Sequence, residues 1–397
     1  MLIGQNNFHL SYCTNIHYSE TLSQVEQLIR DIIPQIKQRV SPDDPFGLGL
    51  RISSEAANTL SDPQCLSKFK LLINHHQCYV FTINGFPYGN FGDGRIKEQV
   101  YQPNWLDPDR VSYTIKLANI LSVLLPEHIE MGSISTLPGA FKTDINSDQD
   151  VAKMSNHLIE VVAHLYQLKQ TSNKVIVLGL EPEPCCFLET IDEVIGFFQQ
   201  SLWSEQSLCL FQELTKLSKI EAIQVLKQHL GICLDFCHTA IQFELPDMVL
   251  EKLQKAGVRI VKAQISSSLK VKPINQNEIE KLQALEEERY LHQVVAKGKN
   301  TLTRYTDISP ALNNINCHSD NELRVHFHVP VYTKFFSGLE TTQQFVEQML
   351  YQQKTSPFTE HLEVETYTWD VMPTQDKPYS VIDMICDELE WCKRYLT

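Results

Sequence analysis

The chain has 397 residues, 43% of them hydrophobic and 21% charged, with a formal net charge of −14 and a pI near 5.5. This is ordinary globular composition. The acidic balance, with no strong Lys/Arg run, argues against a nucleic-acid partner, which would require a basic footprint. The 11 cysteines form no C-x-x-C pair, which argues against a zinc ribbon. Many of them lie in apolar runs (Cys78, Cys186, Cys233) and read as buried thiols in a reducing compartment. The N-terminal residues lack a basic segment followed by a long apolar core, and no apolar run approaches the roughly 20 residues of a membrane span. A cytoplasmic location is expected.

Short apolar runs alternate with longer amphipathic segments. The first candidate strand is "FHLSYCTN", 8–15. The segment that follows places Leu22, Val25, Leu28, Ile29, Ile32 and Ile36 at helix spacing. Candidate strands follow at 46–53, 78–85 and 128–135. The tract 84–105, "NGFPYGNFGDGRIKEQVYQPNW", is rich in Gly and aromatics and reads as a functional loop. Further strands are expected at 174–184, 230–238 and 258–268. Between them lie the helical patterns "NHLIEVVAHLYQL" and "DMVLEKLQKAG", the second ending at the stop signal Gly257. The polar segment 270–320, with "EIEKLQALEEERYLHQVV" expected as one helix, reads as an insertion after strand seven. The last candidate strands are 323–332 and 361–369. Alternating strands and helices predict a parallel sheet, and eight repeats close into an α/β (β/α)8 TIM barrel. Residues 1–397 are therefore read as a single barrel domain carrying the insertion. Nine candidates are one too many, so one lies outside the ring or shares a place in it.

The strand ends repeat a pattern. The fifth ends in Glu181 and Glu183, and the sixth in Asp235 with His238 just beyond. The seventh carries Lys262, Gln264 and Ser266 at alternate positions, the late strand His326 and His328, and the last Glu363 and Glu365. Side chains two apart on a strand share a face. Polar residues at the C-terminal end of a barrel read as site residues. Carboxylates from several strands repel one another unless a cation joins them. Glu181, Asp235 and Glu365 with one neutral ligand would suit Mn²⁺, Mg²⁺, Co²⁺ or Fe²⁺, or Zn²⁺ if His328 or His238 joins. Asn15 and His17 after the first strand, Arg51, Asn84, Tyr88 in the aromatic loop and His326 are the candidate ligand contacts. Each has a plainer alternative. Asp235 can cap the next helix, Arg51 can pair with Glu181 or Glu183, Lys97 can be solvated, and Glu363 can pair with Lys262 beneath the site.

The phrases "LEPEP", "LDFCH" with its D-x-x-H, and the terminal "VE" resemble the xylose-isomerase-like TIM barrels, which include sugar isomerases and ketose epimerases. The resemblance implies a divalent metal held by Glu181, Asp235, Glu365 and a strand-seven ligand. Gln264 holds that place by chain order, while "VHFHVP" with His328 resembles the family's strand-seven sequence. It implies Glu181 and Glu365 as acid and base and His238 as a substrate contact, in isomerase or epimerase chemistry on a small polyhydroxylated molecule.

The longer phrases "LSYCTNIH", "NGFPYGNF…KEQVYQPNW", "LDFCH", "HFHVP" and "HLEVETYTW" resemble the EboE family of metabolite-traffic proteins, from residue 8 to about 373. That resemblance implies a small metabolite as ligand and a prenyltransferase-like membrane protein of the same gene cluster as partner. The chain departs from the pattern at "GNFGDGR", where Gly92 or Asp93 stands in place of an expected His. A binding or handover protein on the same fold is the alternative to an enzyme. An abasic-site endonuclease, which shares this barrel, is disfavoured by the acidic charge.

Overall fold

The computed structural model describes residues 1–397 except 5, 7, 316–320 and 378. Its strands, in chain order, begin with β1 (Leu2–Ile3), β2 (Phe8–Tyr12), β3 (Phe46–Arg51), β4 (Cys78–Asn84) and β5 (Met131–Thr136). They continue with β6 (Val175–Leu180), β7 (Leu230–Asp235), β8 (Ile260–Ile265), β9 (Ser267–Val271), β10 (Val294–Lys297) and β11 (Leu302–Tyr305). The last are β12 (Glu322–Val329), β13 (Phe335–Phe336), β14 (Leu339–Thr341) and β15 (His361–Val364).

One sheet runs in the order β1-β2-β15-β8-β7-β6-β5-β4-β3, parallel from β2 to β3. Its ends approach each other through a parallel bridge between Cys13 and Gly49. The Ser11 hydroxyl stitches the same seam: it donates to the Gly47 carbonyl at 2.7 Å and accepts from the Gly49 N–H at 3.0 Å. Gly49 has to lack a side chain, because a Cβ there would fall 1.6 Å from Glu363 Oε1. Parallel strands covered on both faces are apolar throughout rather than alternating, as in "VIVLGL" of β6. Helices such as Pro108–Leu124, Asp148–Ser172 and Val381–Leu396 pack outside. Among the described residues, no helix is long and apolar enough to cross a membrane.

A second sheet, in the order β11-β10-β12-β9-β14-β13, is antiparallel and lies between β8 and β15 in the chain. It resolves the count of nine. The expected strand 323–332 is β12, and it belongs to this sheet rather than to the barrel. Its alternation divides two environments. Leu323, Val325, Phe327 and Val329 enter a separate apolar core with Leu269, Leu282 and Ile308, so His326 and His328 take the opposite face. The helix expected over 278–295 forms only at its start: it runs Gln276–Gln283, and 294–297 is β10. Glu287 folds the chain into a turn instead, accepting from the Tyr290 N–H and the His292 ring, both at 2.8 Å. The last five residues of the expected insertion, 316–320, lie outside the described residues.

Candidate metal centre

Three carboxylates meet at the C-terminal mouth of the barrel. Glu181 follows β6, with its N–H on the Thr136 carbonyl at 2.9 Å. Asp235 ends β7 and caps the helix Phe236–Ile241. Its Oδ1 accepts from the His238 N–H at 2.9 Å and the Ser266 hydroxyl at 2.8 Å. Capping therefore occupies one oxygen and leaves the other. Glu365 follows β15, and its Oε1 accepts from Asn15 Nδ2 at 2.7 Å and Asn84 Nδ2 at 3.0 Å. The three groups each bring one oxygen within 4.8 Å of the others, and all are buried.

Among the described residues, Glu181 Oε2, Asp235 Oδ2 and both amide atoms of Gln264 have no hydrogen-bond partner. Gln264 is wholly buried, in register between Asp235 and Glu363. Burial, and then repulsion from Glu365 and Asp235, pushes the Glu181 carboxyl far above the usual range. Burial, and then Asp235, does the same to Glu365. Burial also raises Asp235, against the pull of His328 and its two hydrogen bonds. Crowded carboxylates with unpartnered oxygens on Glu181 and Asp235 fit a divalent cation, with Gln264 able to supply a neutral oxygen.

One layer below, Lys262 and Glu363 form an ion pair at 2.5 Å, both side chains fully buried. Burial would depress the ammonium, but Glu363 overrides it and holds the pKa above the ordinary lysine value. This cation is paired with Glu363, and its pull on Glu181 and Glu365 is outweighed there by burial and by their acidic neighbours.

Beside the carboxylates stand three imidazoles. His238 Nδ1 lies 2.9 Å from the Pro182 carbonyl, His328 Nδ1 2.7 Å from the Glu365 carbonyl, and His326 Nδ1 2.8 Å from Gln293 Oε1. Burial lowers His238 to about 3 and His328 to about 4, and it lowers His326 further with help from its histidine neighbours. In all three, burial favours the neutral ring.

The other expected contacts divide. Asn15, Asn84, His238 and His326 line the cavity above the carboxylates, although both Asn amides donate to Glu365. His17, Arg51 and Tyr88 do not reach it. His17 Nε2 pairs with the Tyr12 hydroxyl at 3.0 Å. Arg51 binds Glu20 at 2.7 and 3.1 Å, not Glu181 or Glu183, and also holds the Ser19 and Gly89 carbonyls. A buried guanidinium takes the nearest fork of acceptors, so Arg51 anchors the aromatic loop. Tyr88 packs on Tyr113 and Arg110. Lys97 is not solvated: it is buried and pairs with Asp307 at 2.7 Å.

The aromatic loop and the insertion together roof the mouth. Ile96 and Lys97 N–H groups donate to the Arg289 carbonyl at 2.9 and 2.8 Å, and the Tyr290 hydroxyl to the Phe91 carbonyl at 3.0 Å. The cavity beneath has about 60 Å³ of free volume, with Phe86, Phe91, Tyr101, Tyr290 and Tyr367 above Glu181, Glu183 and Glu365. Sequence reading missed Gln293, which fixes His326 and donates to the Tyr101 hydroxyl at 2.8 Å. It lies in the segment expected as helix, where nothing marked it. Cys237, inside the D-x-x-H phrase, offers its sulfur within 4.8 Å of His326 and His328.

No protein-family model matches the chain, and no curated protein is similar to it. Solved structures are. A xylose isomerase-like TIM barrel protein from Mycobacterium smegmatis shares 9% identity over 99% of this chain and 97% of its own, with a TM-score of 0.50. A xylose isomerase domain protein from Planctomyces limnophilus shares 12% over 91% and 90%, TM-score 0.48. The 3-keto-D-glucoside 4-epimerase YcjR from E. coli shares 11% over 98% and 99%, TM-score 0.45. Only the first of these superimposes closely enough to bear on the architecture, and at such identity it speaks for the fold alone. The fold of this chain is that of the xylose isomerase-like TIM barrels.

Proposed function

We propose that the chain is a divalent-metal enzyme of the isomerase or epimerase kind, acting on a small polar metabolite. The observation that carries this reading is the meeting of Glu181, Asp235 and Glu365, from three barrel strands, with unpartnered oxygens on Glu181 and Asp235. With Gln264 they form an oxygen-rich set suited to Mg²⁺, Mn²⁺ or Co²⁺, and to Zn²⁺ where a histidine joins. The Mycobacterium smegmatis protein was solved in complex with magnesium, which is in keeping with such a set. A cation held there supplies Lewis-acid polarisation of a carbonyl or hydroxyl oxygen.

The chain's own groups do the rest. Glu365 is oriented by Asn15 and Asn84 through Oε1, which leaves Oε2 to face the cation and the ligand. Glu181, raised by burial and by its neighbours, is the second acid or base. The roof gives the ligand an aromatic surface on its far side. One water needs about 10–15 Å³ by the same measure, so a cavity of about 60 Å³ takes a small ligand only.

The phrase-level resemblance to the EboE proteins supports placing this activity in metabolite traffic in the cytoplasm, beside a prenyltransferase-like membrane protein. A handover role without turnover is favoured by the tied-down roof, which encloses a ligand as readily as it encloses a reaction.

Metal content by mass spectrometry, on protein purified without chelators, tests the reading. Near-stoichiometric divalent metal is expected, lost in Asp235→Ala. No metal in the wild type even after reconstitution overturns it. Turnover of small hydroxy-carbonyl compounds, abolished in Glu181→Gln and Glu365→Gln, separates enzyme from carrier.

A further inference from the structure

We infer that the ligand of this mouth is a single-ring molecule that carries its oxygens along one edge, has an apolar body and bears no negative charge. This rests on the function proposed above, in which the carboxylate side receives the ligand's oxygens, and it names the class of ligand that the site accepts.

The cavity is the size of one ring. It has about 60 Å³ of free volume. At about 10–15 Å³ per water that is room for about four to six waters, which fill about 120–180 Å³ as liquid, the space of one six-membered ring. Its unpartnered polar atoms lie on one side. Asn15, Glu181, Glu183 and Glu365 line the barrel side, and Asn15 Oδ1 and Glu181 Oε2 are buried there with no hydrogen-bond partner among the described residues.

On the roof side, the hydroxyls and the ammonium already have partners within the protein. The Tyr101 hydroxyl donates to Glu183 Oε1 at 2.6 Å and accepts from Gln293 Nε2 at 2.8 Å. The Tyr290 hydroxyl donates to the Phe91 carbonyl at 3.0 Å, and the Tyr367 hydroxyl lies 3.4 Å from His326 Nε2. Lys97 is the one Lys or Arg lining the cavity among the described residues. It pairs with Asp307 at 2.7 Å and donates to the Glu287 carbonyl at 3.0 Å. The backbone is occupied too: the Phe86 N–H donates to Asn84 Oδ1 at 3.1 Å and the Phe91 N–H to Glu20 Oε1 at 3.2 Å. What the roof offers a ligand is ring faces and the aliphatic side chains of Ile96, Val100 and Leu291.

A sugar-like ring carries hydroxyls all round. Those turned to the roof would leave water and gain no partner, and each would weaken binding about tenfold or more. An apolar edge in the same place loses nothing and gains contact with the aromatic rings. An anionic group would find Lys97 already paired and would face Glu181, Glu183 and Glu365.

The test is calorimetric binding to the full chain, reconstituted in turn with Mg²⁺, Mn²⁺ and Zn²⁺, with metal per chain measured first. Three probes share one carbon ring: α-hydroxycyclohexanone, with two adjacent oxygens; pentahydroxycyclohexanone, with hydroxyls all round; and α-hydroxycyclohexanone carrying a carboxylate opposite the ketone. The first should bind, and the other two should bind at least about 100-fold more weakly. Tyr101→Phe keeps the aromatic ring but frees Glu183 Oε1 and Gln293 Nε2, so the gap between the first two probes should narrow about tenfold. The wild-type series does not depend on that variant folding. A pentahydroxy ring or a carboxylate that binds as tightly as the first probe overturns the inference and leaves the metal enzyme standing. So does a chain that holds metal and binds none of the three. Selective binding of the first probe by a chain that holds no metal supports the inference and overturns the proposed metal. A chain that holds no metal and binds no probe overturns both.

Discussion

Two layers of the barrel interior differ by two residues along the same strands. In the lower layer, Glu363 on β15 faces Lys262 on β8 at 2.5 Å. In the upper layer the same strands lead to Glu365 and offer Gln264, and the neighbouring strands add Asp235 and Glu181. Both layers bury carboxylates almost completely. The lower one contains its own cation. The upper one has three acids and a neutral amide, with no lysine or arginine paired to any of them among the described residues. A buried carboxylate by itself is therefore no sign of function. A cluster the chain leaves uncompensated is.

The comparison breaks most sharply at Lys262. Lys262→Met leaves Glu363 as a buried charge without its partner and should cost about 3–5 kcal/mol in urea unfolding. Adding Glu363→Gln should recover most of that loss. If the single variant unfolds like the wild type, the lower layer is not held by its ion pair.

Glu388 supplies a third case. It is buried in the outer helix Val381–Leu396, alone, accepting from the Thr366 hydroxyl at 2.7 Å and the Val331 N–H at 3.1 Å. Burial raises it from the ordinary 4.5 to about 8. Between those values the folded chain binds a proton that the unfolded chain does not. Its contribution is thus full below pH 4.5 and is lost as pH rises to about 8, with a limiting slope of about 1.4 kcal/mol per pH unit. Glu388→Gln keeps an acceptor oxygen and should remove this slope, measured as unfolding free energy from pH 5 to 8. An unchanged slope would show that Glu388 stays ionised.

In metal-free protein at pH 7, Glu181→Gln should be neutral or raise stability by about 1 kcal/mol, since it relieves the upper layer of one repelling acid. With saturating divalent metal the order should reverse. A loss in the metal-free state would mean that Glu181 is paired in a way the upper layer does not show. The smallest effect belongs to the roof. Tyr290→Phe removes one hydrogen bond to the Phe91 carbonyl and should cost about 1 kcal/mol, with faster proteolysis in the loop 84–105.

Much of this was legible in the linear chain. Every candidate strand is a strand, because parallel barrel strands are continuous apolar runs bounded by turns. Glu181, Asp235 and Glu365 stand at strand ends, where period two alone sets which way a side chain points. The helical pattern of 278–295 misled, because isolated apolar residues among glutamates look amphipathic whether they face a barrel or a second sheet. Arg51 was legible as a ligand contact or an ion-pair partner but not as the partner of Glu20, since a long side chain chooses its acceptor in space.

The amino-acid sequence by itself determined the alternation of strands and helices, and with it the barrel, the parity of its interior and the three acids at its mouth. These follow from local hydrophobic periodicity and from the direction of side chains on a strand. The tertiary structure alone decided that β12 leaves the ring, that His326 and His328 return over the mouth to meet His238, and that Gln293 holds His326 in place. Those depend on contacts between residues up to 110 positions apart, and no local pattern encodes which distant side chain will close on which.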